Sequence, residues 1–265
     1  MEQNKTVTNF EYLKPPKEAY LHFPKENRLF SGKEKKILRW YFDGDSEYTE
    51  FELQRFQKFK DYLKEKGATN LIDNWTQQGI FRQLQGNYFD NKKTKTDIAD
   101  FNEWVKNVAT HIDDDIQKFL DLEIIYVAGR DHKYRPIIVF NIYKLDPKQF
   151  PIDKITKGVD FFYKIIMDNM FIPGQIENWI IIMDLNSASL SSIPLSMIKQ
   201  IVSYSSKYYK SRLYRLYMVN TTSTITTTWK ALKFFMDSVT VDKINILKEG
   251  VPEKLFLHAN KSQIL

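Results

Sequence analysis

The chain has 265 residues, no cysteine, and a formal net charge of +6 from 39 Lys and Arg against 33 Asp and Glu. A chain of this length can bury a hydrophobic core without disulfides or structural metal. The absence of cysteine excludes disulfide scaffolds, cysteine-ligated zinc, iron–sulfur clusters and thiol catalysis. The mild basic balance falls short of the dense cationic surface of a dedicated nucleic-acid binder, so we expect no nucleic-acid partner.

The amino-terminal residues 1–10 are polar and charged and lack the apolar segment of a signal peptide. The longest apolar runs, such as residues 179–183, have about five residues, whereas a membrane-spanning helix needs about 20. We therefore expect a cytoplasmic, monomeric protein that meets membranes only peripherally and transiently.

The first part of the chain divides into two predicted regions. Residues 1–45 are predicted to form an irregular arm, because Pro15, Pro16 and Pro24 interrupt any helix. Residues 46–118 are predicted to form a helical lobe. This region has three stretches with apolar residues three and four positions apart, which is the spacing of one face of a helix.

Residues 119–265 are predicted to form an α/β domain. Short apolar runs alternate there with helical stretches of about 10–17 residues, a pattern typical of a mostly parallel sheet. Residues 179–183 are continuously apolar, as expected of a strand buried on both faces. Crossovers between parallel strands are right-handed, so we expect helices to flank the sheet.

Motifs of catalysis and cofactor binding are missing from the sequence. It contains neither of the two common glycine-rich phosphate loops and no nucleophile elbow. His111 followed by the three aspartates 113–115 could suggest a metal, but Asp is more typical there as a helix N-cap. Ser196 and Lys199 fit S-x-x-K without its companion motifs. We predict no enzymatic activity, no metal and no cofactor.

Seven hydroxyl side chains crowd into residues 221–228, between a predicted strand and a predicted helix. They could cap the helix, or they could bind a polar headgroup at its N-terminus. Capping uses one or two hydroxyls, so both interpretations stay open, with Thr226 as the candidate headgroup contact.

Six segments match, in order, the sequence pattern of one known family. They are residues 129–140, 179–185, 208–213, 216–220, 229–237 and 239–244. A weaker match covers residues 80–90 and Trp104 in the helical lobe. On these segments, about residues 70–260, the chain resembles the CRAL-TRIO lipid-binding domain family.

The resemblance implies a helical amino-terminal lobe followed by a mostly parallel sheet, with an apolar cavity under a mobile helical gate. It implies that the protein binds one lipid or other hydrophobic ligand and transfers or presents it between membranes, with a phosphatidylinositol-type lipid as the first guess. Exposing acyl chains to water costs about 0.8 kcal/mol per CH₂. A carrier must therefore enclose the chains, and the 15% aromatic content suits a lined cavity.

The resemblance also implies the site residues. In the headgroup site, Lys233 is the phosphate contact, and Gln200 stands where the family has a Glu beside the inositol. Thr226, from the hydroxyl-rich run, is the third candidate headgroup residue. The gate segment, residues 225–236, carries apolar residues at helical spacing. The expected cavity and gate residues are Trp179, Ile181, Trp229, Leu232, Phe234, Phe235 and Met236.

One departure from the family pattern supports an alternative function. Trp179 and Ile181 replace the Ser and Thr that contact choline lipids in the family. A bulky Trp179 could fill the cavity. The alternative is an adaptor with a reduced lipid pocket that acts through protein partners.

Overall fold

The computed structural model describes residues 10–25, 27–31, 36–186, 195–221, 225–247 and 253–261. The helices have these bounds: α1 Glu50–Glu65, α2 Gln77–Gly86, α3 Asn91–Trp104, α4 Asp114–Asp121, α5 Ile152–Met170, α6 Leu195–Tyr208, α7 Ile225–Leu232, α8 Ser238–Asp242 and α9 Glu253–Phe256. The strands are β1 Arg28–Ser31, β2 Lys36–Arg39, β3 Ile125–Arg130, β4 Pro136–Asn141, β5 Trp179–Asp184, β6 Leu213–Val219 and β7 Ile244–Ile246.

The strands form two sheets. β1 and β2 make an antiparallel pair, and the other five lie in the order β3-β4-β5-β6-β7. In the larger sheet β3 is antiparallel to β4, and the remaining neighbours are parallel. The predicted α/β class with a mostly parallel sheet is confirmed.

Sequential strand order explains where the helices lie. When parallel strands follow one another across a sheet, right-handed crossovers place every connecting helix on the same face. Buried residues of α5 and partly buried residues of α6 accordingly pack with Ile138, Ile181 and Met218 on one face. The opposite face, with Ile180 and Ile182, packs against Leu255 of α9 and against Ala259, which follows α9. β5 is therefore buried on both faces, as its apolar run predicted.

The helical lobe begins with a capped helix. The Thr49 side chain accepts from the Glu52 backbone, and the Glu52 carboxylate accepts from the Thr49 backbone at 2.8 Å, which is a capping box. Phe59, Leu63 and Ile98 are buried between α1, α2 and α3. The helical periodicity of this region is confirmed.

A buried charge network fastens the lobe to the domain. The Glu177 carboxylate accepts from the Arg82 guanidinium at 2.8 Å and from the Phe42, Asp43 and Gly174 backbone N–H groups. Burial alone would raise the pKa of Glu177. The attraction and hydrogen bond of Arg82, the attraction of Arg212 and the backbone hydrogen bonds together outweigh burial and hold that pKa below its usual value. This carboxylate therefore links the arm and α2 to the residues just before β5.

Three elements differ from the sequence expectations or sharpen them. The β1–β2 pair lies inside the arm, where no strand was predicted. The gate segment is interrupted, since α7 ends at Leu232 and a 3-10 turn, Lys233–Phe235, follows. Asp113 caps α4 by accepting from the Ile116 backbone at 3.0 Å, which confirms the capping interpretation. The three-part division at residues 46 and 119 remains our proposal.

The contact of α5 with α4 gives a test of packing. A Cβ added at Gly158 would lie 2.6 Å from Cδ1 of the buried Phe119. Ala normally stabilises a helix interior by about 1 kcal/mol relative to Gly, but overpacking costs about 1–3 kcal/mol. We expect Gly158→Ala to lower the free energy of unfolding by up to about 2 kcal/mol, measured by urea denaturation. Asp168→Ala, at an exposed position of the same helix, should change it by less than about 0.5 kcal/mol. A stabilised Gly158→Ala protein would contradict this packing.

Candidate functional site

An apolar cavity of about 290 Å³ lies between the sheet and the gate segment. Its floor is the sheet face that carries Trp179, Ile181 and Met183, which alternate along β5 with residues of the opposite face. α5 and α6 form the walls, and Leu232 and Met236 of the gate segment cover it. This volume lies at the lower end of the about 300–1,000 Å³ of ordinary ligand pockets.

Aromatic side chains occupy much of the space beneath α5 and α6. Trp179 is 2% exposed. Its ring stacks on Tyr163 at 4.4 Å and on Phe171 at 5.7 Å between centroids. Tyr209 meets the Tyr163 ring edge-on at 4.8 Å. These rings pack against one another, so each holds its neighbours in place beneath α5 and α6.

A buried carboxylate anchors this aromatic cluster. Asp160 on α5 accepts from the Tyr209 hydroxyl at 2.5 Å, from the Trp104 indole at 3.1 Å and from the Tyr204 hydroxyl. Burial raises the pKa of Asp160 above its usual value, while these hydrogen bonds oppose that rise. Trp104 lies at the end of α3, so the network also joins the helical lobe to α6.

A more polar part of the lining, called here the polar end, includes residues of the arm. Arg39 and Trp40 line it beside Tyr88, Asp237 and Lys243. Helix α8 lies near strand β1, which brings the β1–β2 pair up to the gate segment. A stretch expected to be irregular thus supplies part of the cavity wall.

Four of the seven predicted cavity and gate residues line the cavity: Trp179, Ile181, Leu232 and Met236. Trp229 is partly buried on α7 and lies outside the lining. Phe234 and Phe235 are 81% and 60% exposed, so they face solvent. The Lys199 ammonium lies 3.9 Å from the Phe235 ring centroid.

The predicted headgroup residues are not brought together around the cavity. Lys233 and Gln200 are exposed and do not line it. Thr226 lies on α7, and its side chain is outside the described part of the chain, as are residues 222–224 of the hydroxyl-rich run. Thr221 donates to the Leu247 carbonyl at 2.9 Å. The headgroup roles of Lys233, Gln200 and Thr226 stay predictions.

Trp40 and Lys243 are among the lining residues that the sequence reasoning missed. Trp40 was assigned to the arm, and nothing in its local sequence connects it with the gate segment. Lys243 was predicted as the first residue of a short strand, residues 243–247, and as part of the 239–244 match to the family. A lysine at the start of a predicted strand gives no local signal that it faces a cavity.

A second groove lies on the other side of α5. It has about 1040 Å³ and is lined by Leu13 of the arm, by β3 and by Phe162 and Ile165. None of the predicted site residues lines it. We place the candidate site in the cavity beneath the gate segment, because it contains predicted site residues and has the more apolar lining.

Over the residues that the structure describes, no group of three or more His, Asp or Glu side chains is arranged to hold a metal ion. The described helices also include none long and apolar enough to cross a bilayer.

The fold and the cavity define a class of α/β protein in which one face of a mostly parallel sheet and a helical cover enclose an apolar site. The model of the CRAL/TRIO domain matches residues 120–265, more than half of the chain. The chain belongs to the CRAL/TRIO domain family.

The chain is also similar to two fungal relatives. It is 26% identical over 197 residues to the Sec14 cytosolic factor of Schizosaccharomyces pombe, covering 74% of this chain and 60% of the relative. It is 24% identical over 220 residues to the SEC14 cytosolic factor of Yarrowia lipolytica, covering 76% and 44%. The chain thus spans about half the length of these relatives.

A solved structure supports the fold. The crystal structure of Sfh5 superposes with a TM-score of 0.53 at 16% sequence identity, covering 77% of this chain and 82% of that chain. At this identity the similarity concerns the fold alone.

Proposed function

We propose that the protein binds a single lipid in the cavity and transfers or presents it between membranes. The ligand that we expect is a phosphatidylinositol-type lipid. The observation that carries the proposal is the apolar cavity enclosed between the sheet and the gate segment. Membership of the CRAL/TRIO family supports it. The binding requires no catalytic group and no cofactor besides the lipid itself.

The cavity and the gate segment suit this task in different ways. Each CH₂ group removed from water contributes about 0.8 kcal/mol, so the apolar lining around Ile181 and Met218 favours acyl chains. The volume of about 290 Å³ is small, and a two-chain lipid therefore requires movement of the gate segment. Its interruption at Leu232 provides a natural place for that movement.

The gate segment also presents a surface for membranes. Phe234 and Phe235 project side by side into solvent from the 3-10 turn, next to Lys233. Adjacent exposed aromatic rings with a cation nearby suit the interface of an anionic bilayer. We propose that this turn makes the transient membrane contact, and that the protein is a cytoplasmic monomer between contacts.

Replacing both rings tests the membrane role. We expect Phe234→Ser/Phe235→Ser to slow transfer of fluorescent phosphatidylinositol between vesicles at least several-fold, because membrane affinity scales with buried apolar area. The unfolding midpoint should stay within error, since both rings are exposed in the structure.

The matched control is Phe23→Ser, which removes an exposed aromatic ring from the arm. We expect this control to transfer lipid at the parent rate. Equal transfer rates for Phe234→Ser/Phe235→Ser and for the control would show that the turn does not contact the membrane.

Native mass spectrometry after incubation with mixed-lipid vesicles tests lipid binding itself. A stoichiometric phosphatidylinositol-type species would support the proposal. A different hydrophobic ligand would keep the carrier function and discard the phosphatidylinositol-type headgroup.

The small closed cavity favours one second candidate function. Trp179 and its stacked neighbours fill space beneath α5, as expected of an adaptor with a reduced lipid pocket. Failure to load any lipid, under conditions in which a known carrier loads, would favour this adaptor acting through protein partners.

A further inference from the structure

A buried lysine lines the polar end of the cavity without an anionic partner. Lys243 is 8% exposed, and it lies in the cavity wall just before β7. Among the described residues, no carboxylate lies within the 4.0 Å ion-pair distance of its ammonium. A buried charge is normally paired, so this ammonium calls for an explanation.

The two other cations that line the cavity are both paired. Arg39 forms an ion pair with Glu52 at 2.6 Å, and Lys210 forms one with Asp97 at 3.0 Å. The charge of each is therefore balanced within the protein. Lys243 lies in the same cavity wall but forms no ion pair with the described residues.

The neighbours of Lys243 compensate its charge only in part. Its ammonium lies 4.8 Å from the centroid of the Trp40 ring, a cation–π contact. Asp237 is the nearby carboxylate, and its oxygens already accept from the Tyr88 hydroxyl at 3.0 Å and from the Thr240 hydroxyl at 2.6 Å. The side chain thus keeps hydrogen-bond donors available toward the cavity.

We propose that Lys243 binds the anionic group of the cavity's ligand, a phosphate or a carboxylate attached to an apolar chain. The inference rests on the proposed lipid binding and adds the residue that holds the ligand's acidic group. An ammonium is a compact point charge suited to either anion. The apolar remainder lies along the sheet toward Trp179, while the acidic group lies between Trp40, Tyr88 and the start of β7.

Binding of three fluorescent probes tests the assignment. The probes are NBD-phosphatidylinositol, cis-parinaric acid and NBD-diacylglycerol, which present a phosphate, a carboxylate and no charge. We expect Lys243→Met to weaken binding of whichever acidic probe the parent binds by about tenfold or more, as loss of a charge-assisted hydrogen bond does. Binding of the neutral probe should not fall.

Control variants separate the possible outcomes. Lys230→Met removes an exposed lysine of α7 and should bind every probe like the parent. Equal losses of acidic and neutral probes in Lys243→Met, or no loss, would overturn the assignment. A loss confined to Lys233→Met would overturn it as well and place the acid at the exposed turn. A parent protein that binds none of the probes would instead defeat the proposed function.

The pH dependence gives an independent readout. Burial lowers the pKa of Lys243 to about 8, an effect that Asp237 opposes and Arg215 reinforces; Arg39 and Tyr88 line the same end of the cavity. Acidic-probe binding needs the charged lysine, so it should weaken as the pH rises above about 8. Lys243→Arg keeps its charge and should bind the probe without that loss. Identical pH profiles for the parent and Lys243→Arg would contradict the role.

Discussion

Replacing Arg82 by Met is expected to lower the free energy of unfolding by about 3–5 kcal/mol, because it leaves the buried Glu177 carboxylate without its closest cation. The two groups lie 2.8 Å apart with side chains 9% and 1% exposed. Arg212 stays at 4.0 Å from the carboxylate and replaces Arg82 only in part. Urea denaturation at neutral pH measures the change.

The control for this variant is an ion pair at the surface. Lys106→Met breaks a pair with Glu103 in which both side chains are mostly exposed, and such pairs contribute about 1 kcal/mol or less. A similar small loss for Arg82→Met would mean that Glu177 is satisfied by its backbone hydrogen bonds and Arg212. The lobe would then be held to the domain by apolar contacts.

Truncating Trp179 is the second substitution with a large expected effect. Trp179→Ala removes a fully buried ring that stacks on Tyr163 and Phe171. We expect it to lower the free energy of unfolding by about 3–5 kcal/mol, the range found for large aromatic residues in cores. Phe235→Ala removes an exposed ring and should change it by less than about 0.5 kcal/mol. A loss below about 1 kcal/mol for Trp179→Ala would show that the cavity collapses onto the vacant space.

The milder variant Trp179→Leu separates the carrier from the adaptor. It keeps an apolar residue on the cavity floor and adds volume to a cavity of about 290 Å³. If the closed cavity limits the carrier, this variant should load more two-chain lipid than the parent, as measured by native mass spectrometry. Unchanged loading would show that the size of Trp179 does not limit the ligand.

Local patterns in the sequence were sufficient for the class of fold. The apolar run 179–183 predicted a strand buried on both faces, and β5 is buried on both faces. Helical spacing predicted the lobe and α5, because apolar periodicity records which face of an element is buried. Matches to the family pattern placed Trp179, Ile181, Leu232 and Met236 in the cavity.

Local patterns failed where a result depended on contacts across the chain. The β1–β2 pair escaped notice, because its strands are short and lie among prolines and charges. The break of the gate segment after Leu232 also went unpredicted. Helical spacing continues through Met236, so the spacing alone gives no sign that the chain changes to a 3-10 turn.

The sequence by itself therefore determined the α/β class, the helical lobe, the apolar floor of the cavity and the family resemblance. Only the tertiary structure decided that Trp40 and Lys243 share the polar end of the cavity, and that Lys233 lies exposed outside it. The physical reason is that neighbouring residues of one helix or strand show by their apolar spacing which face is buried. The neighbours of a buried charge are set by how distant elements pack, here β1 against α8 and Trp40, which follows β2, against Lys243.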